Sequence, residues 1–144
     1  METDATAIAQ AIQLSVAPVF LLTAVGAMIG VLANRLGRAV DRARALEARY
    51  RETPAAEQEG LRAELDVLAR RSRLIYAAML LCALCALLVC SVIVGLFAGR
   101  IAGAALEGPV AVLFVAAMFA FMAALLVFLR EVQIALRALH IGPP

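Results

Sequence analysis

The sequence predicts an all-α polytopic membrane protein, with three transmembrane helices and a cytoplasmic antiparallel helical hairpin between the first and second. Three observations predict it. Residues 5–34, 74–99 and 108–129 carry no charge over 30, 26 and 22 positions, and a helix needs about 20 apolar residues to cross a hydrocarbon core. Hydrophobic residues make up 65% of the 144-residue chain, against about 45–50% in a soluble domain, so the excess must face something other than the protein's own core. Ten of the 13 arginines fall within residues 34–73, and short loops rich in basic residues stay cytoplasmic.

A spanning backbone must satisfy its own hydrogen bonds, which leaves helices or closed barrels. Barrel strands are about 10 residues long and alternate in polarity, unlike these uninterrupted runs. The chain starts with an acidic segment, Glu2 and Asp4, without the basic region of a signal peptide, so the first stretch is expected to be a retained helix. The expected spans are residues 7–33, 74–98 and 109–129 of a single membrane domain, 1–144. The hairpin takes 34–73, and a short cytoplasmic helix follows at 130–141. This places the N-terminus outside and the C-terminus in the cytoplasm.

The first helix holds most of the polar groups: Gln10, Gln13, Ser15, Thr23 and Asn34, with Pro18 among them. Proline removes a backbone hydrogen bond and kinks a helix. Residues 5–33 form one kinked helix, or residues 5–17 lie at the interface and Pro18 starts the span. The first reading is preferred, because the second leaves only about 16 residues, short of a bilayer. Gly26 and Gly30 form a GxxxG pair extended by Ala33 and Gly37. Small residues let backbones approach closely in lipid, so this face is expected to pack on a helix of the same or another chain.

In the hairpin, Leu36, Val40, Ala43, Leu46 and Tyr50 recur at helical spacing, as do Leu61, Leu65, Leu68, Ser72 and Ile75. Both read as a narrow, coiled-coil-like seam. Thr53 is expected to cap the second arm, with Pro54 at its first helical position. Arg35, Arg38, Arg42 and Arg44 follow the first span, and Arg70, Arg71 and Arg73 precede the second. Such juxtamembrane clusters attract anionic headgroups, although anchoring of the topology alone accounts for them.

The second helix contains Cys82, Cys85 and Cys90. With no base, charge or strand beside them, a redox role gives way to helix packing. On the third helix, Ala116, Ala120 and Ala124 share one face at four-residue steps, while Phe114, Met118, Phe121, Leu125 and Phe128 form another. The alanine side is expected inward. Glu131 is expected to pair with Arg35, Arg38 or Arg42, at the depth where the first span ends. Exchanging the charges of that pair should then restore what either single change loses.

The segment from Gln13 to Thr23 (QLSVAPVFLLT) is followed by Asn34 to Arg44 (NRLGRAVDRAR). Together with Arg70–Arg71–Ser72–Arg73 and Phe128–Leu129–Arg130–Glu131–Val132, these resemble an uncharacterised bacterial family of three-helix integral membrane proteins, a domain of unknown function. The resemblance covers nearly the whole chain. It implies the topology and a bacterial inner membrane, and no activity. Gly30 departs from it where an asparagine is more usual.

No catalytic, metal or cofactor site is expected. The lone His140 has no partner in a nucleophile, base or ligand set, and no ionisable residue lies within a span to mark a pump. A net charge of +2 does not point to nucleic acid, and no small-molecule substrate is identifiable. Partners are expected to be the bilayer, anionic headgroups and further copies of the chain. Two functions follow. One is a structural or accessory membrane protein that self-associates through its glycine and alanine faces. The other is a homo-oligomeric pore lined by Gln10, Gln13, Thr23 and Asn34, with arginines at the mouth favouring anions.

Overall fold

The computed structural model describes residues 2–54, 57–103 and 106–139, and the side chains of these except 2–11, 14 and 137–139. Three helices account for nearly all of it: α1, Glu2–Glu52; α2, Gln58–Ala102; and α3, Glu107–Leu139. Each includes a stretch long and apolar enough to cross a membrane. Pro18 lies inside α1, which continues through it as one helix. The first two helices also continue past the charge-free stretches, so the hairpin arms are extensions of the spans. The side chain of Gln10 and the whole of His140 lie outside what the structure describes.

The hairpin turn is built differently from the sequence expectation. α2 starts at Gln58 rather than at Pro54, and the Thr53 hydroxyl donates to the Arg49 carbonyl at 2.8 Å. Gln58 reaches back, its Nε2 donating to the carbonyls of Thr53 at 2.9 Å and Tyr50 at 3.5 Å. The last carbonyls of a helix have no partner within it, and these side chains supply donors. Pro54 lies in the turn, where its carbonyl accepts from the Glu57 N–H at 3.0 Å. At the other end of α2, Gly103 takes φ +62°, the left-handed conformation that closes helices and strains other residues.

The chain forms two compact units, each with a segment of all three helices. Met1–Ile29 and Leu81–Ala123 make one; Gly30–Leu80 and Ala124–Pro144 make the other. In the first, Val25 on α1 is buried with Cys82, Cys85, Val89 and Val92 on α2 and with Val110 and Ala117 on α3. Cys82 and Cys85 act there as packing residues, while Cys90 is exposed. The tight approach involves Gly95: a Cβ there would stand 2.8 Å from Val110 Cγ2. Because a β-branched side chain is stiff, Gly95→Ala should cost about 1–3 kcal/mol. Val110→Ala in the same chain should recover most of it, as read by thermal unfolding in detergent. An unchanged melting temperature for the single variant would contradict this packing.

In the second unit the buried residues are Leu32, Ala39 and Leu46 on α1, Leu68, Ile75 and Ala78 on α2, and Ala124 and Glu131 on α3. The residues expected along the hairpin seam flank this core, Leu36, Val40, Ala43 and Tyr50 being half-buried. Across the hairpin, Arg42 pairs with Glu64 at 2.7 Å, and the Arg62 guanidinium lies 5.8 Å from the Tyr50 ring centre. The short turn between Glu52 and Gln58 makes the arms antiparallel, and both contacts lie across them.

Large apolar side chains point away from the protein: Phe20 is 71% exposed, Val94 65% and Phe119 62%. In the most apolar windows of the three helices only 17%, 22% and 17% of residues are buried. A water-soluble protein does not present such continuous apolar surface, whereas lipid tails cover it without penalty. Lipid also supplies no hydrophobic force between helices, which must be held by close packing. The small buried side chains Ala39, Ala78, Ala117, Ala124, Cys82 and Cys85 provide that.

Candidate functional site: an arginine cluster around Glu131

Glu131 on α3 is wholly buried and lies in the second unit. An unpaired carboxylate there would cost several kcal/mol, and two arginines answer it. Arg71 of α2 donates through Nε and Nη2 to Glu131 Oε1, at 3.1 and 3.0 Å. Arg35 of α1 brings Nη2 to 2.8 Å from Oε2. Both arginine side chains are about three-quarters covered, at 24% exposure. The Arg35 guanidinium also stands 5.3 Å from the Phe128 ring centre, one helical turn before Glu131, where the ring face attracts a cation. One carboxylate thus ties all three helices together.

Arg35 is the first charged residue after the first charge-free stretch. Arg71 comes just before the second, and Glu131 just after the third. The triad therefore marks the level at which the apolar part of all three helices ends. Beside it lies a pocket of about 290 Å³ lined by Arg35, Arg38, Ala39, Arg42, Leu68 and Arg71.

Of the three arginines expected beside Glu131, Arg35 meets it. Arg42 pairs with Glu64 instead, and Arg38 is exposed and lines the pocket. Arg71 was missed, although it sits four residues before Ile75, on the face that the seam identifies as inward. Because Glu131 answers two arginines, exchanging its charge with Arg35 alone would leave Arg71 facing a second cation, so the expected full rescue gives way to a partial one.

The expected alanine face is also revised. Ala124 is buried, but Ala116 is exposed and Ala120 half-buried. The inward line runs through Ala117 in the first unit and through Ala124 and Glu131 in the second. Four-residue steps drift about 40° per step at 3.6 residues per turn, while seven-residue steps fall about 20° short of two turns and keep their face longer. Gly26 and Gly30 are exposed, and a Cβ on either would meet nothing within 4 Å, so among the described residues neither packs closely against another helix. Gln13, Thr23 and Asn34 are exposed as well, and the Thr23 hydroxyl donates to the Val19 carbonyl at 3.2 Å.

Three long helices that turn apolar surface outward, and whose apolar parts end at the level of a buried ionic triad, define a small multi-pass α-helical membrane protein. The chain belongs to the family described as a protein of unknown function (DUF2721), whose model matches residues 15–141. No curated protein and no solved structure matches it.

Proposed function

We propose that the protein is a non-enzymatic, accessory membrane protein that self-associates through the outward face of α1 and holds its arginine-rich hairpin at the cytoplasmic surface of a bacterial inner membrane. The observation that carries this reading is the open environment of Gly26 and Gly30. They sit one turn apart on α1, away from buried Val25 and Leu32. Facing lipid, a glycine pair offers little contact; against another helix it allows close backbone approach. The concentration of arginines in residues 34–73 supports the cytoplasmic placement. A C-terminal reporter active only outside the cytoplasm would overturn that orientation.

The expected result is an oligomer in mild detergent, by light scattering, that Gly26→Leu with Gly30→Leu dissociates without loss of helicity. A monomeric wild-type chain would refute the reading. The pore is a second reading, favoured by the exposure of Gln13, Thr23 and Asn34 within an arc of about 80° on α1 at 3.6 residues per turn. Purified protein in liposomes separates the two: ion flux altered by Gln13→Leu supports the pore, and a stable oligomer without flux supports the accessory role.

A further inference from the structure

We propose that the pocket beside the Glu131 triad is a binding site for a dianionic phosphate group at the membrane surface. It is lined by Ala39 and Leu68, both buried, and by four arginines, Arg35, Arg38, Arg42 and Arg71. Two carboxylates answer them. Glu131 is shared by Arg35 and Arg71, and Glu64 takes Arg42. Four positive charges against two negative leave a surplus of two in one small pocket. Anchoring a topology requires basic residues near the membrane, but it does not require four of them to converge.

One further feature points to an anion. Arg38 has no ion pair among the described residues and is free to close over a ligand. Guanidinium groups suit phosphate oxygens through paired, charge-assisted hydrogen bonds. A phosphate monoester carries about −1.5 to −2 charges near neutral pH, which matches the surplus better than a singly charged diester. The pocket begins at Arg35, where the charge-free stretch ends, and reaches Arg42 two helical turns further, a rise of about 10 Å. The headgroup layer on one side of a bilayer is about 5–8 Å deep, so the pocket starts in that layer and reaches just past it. The phosphate can come from a lipid headgroup or from solution.

The test uses the full chain in detergent with phosphatidylcholine, titrated with phosphatidic acid, phosphatidylglycerol or inorganic phosphate and read by binding and thermal shift. Phosphatidic acid is expected to bind more tightly than phosphatidylglycerol. Arg38→Gln should weaken it about ten-fold or more, as loss of a hydrogen bond to a charged group does. Arg44→Gln removes the same charge from an exposed position outside the pocket and should leave affinity unchanged. Binding of lipid alone assigns the headgroup as the source; Arg38-dependent binding of inorganic phosphate assigns a soluble one. Equal weakening by both variants would mean general attraction to a basic surface, and absence of binding to any of the three would also overturn the site. Arg38 is exposed, so its loss leaves the fold intact, and an unchanged circular dichroism spectrum checks this.

Discussion

Glu131→Leu should destabilise the protein by about 3–5 kcal/mol, the range for removing one partner of a buried ion pair. The loss comes from the arginines left behind more than from the carboxylate itself. Arg35 and Arg71 reach Glu131 from two different helices, and without it they face each other across a mostly covered site. Their long stems can carry the charges toward water, which places the expected value toward the lower end. The triple variant Arg35→Met, Arg71→Leu, Glu131→Leu should recover most of the stability, because a fully apolar replacement leaves no charge to desolvate. Thermal unfolding in detergent measures both. A single variant that melts like the wild type would show that the triad does not hold the helices together.

Ala124→Leu should be the second large effect. Ala124 is wholly buried in the second unit, and extra methylenes in a closely packed site cost about 1–3 kcal/mol, occasionally more. Ala116→Leu should fall within about 0.5 kcal/mol of wild type, as exposed substitutions do, because Ala116 faces outward. The pair separates two descriptions of α3. Were the four-residue alanine face the inward one, both variants would be costly. The expected result is one severe and one silent variant in the same unfolding assay.

Much of the architecture was legible in the residues. The charge-free stretches marked the three long helices, and the seam through Leu46, Leu68 and Ile75 marked the inward faces of the hairpin, where those three are buried. That Glu131 meets an arginine from the end of the first span followed from equal depth, and of the three candidates Arg35 is the one it meets. Other parts were not legible, for identifiable reasons. Thr53 has the composition of an N-cap, but a hydroxyl can equally donate back to a carbonyl of the preceding helix, and the Gln58 amide completes that closure. Gly26 and Gly30 have the signature of close packing, which does not say against what. Gly95 has no such signature, yet it is the glycine that Val110 presses against.

The sequence by itself determined that this chain is built of membrane-length helices, because hydrocarbon excludes charge and unsatisfied backbone and so leaves a mark on every residue of a span. It also determined where those helices meet water, through the arginines and Glu131 that end them. Only the tertiary structure decided which of several arginines answers Glu131, which alanines face inward, and that four arginines line one pocket. Those outcomes depend on helix rotation and register, and a rotation of one residue, about 100°, changes every neighbour without changing the composition of the helix.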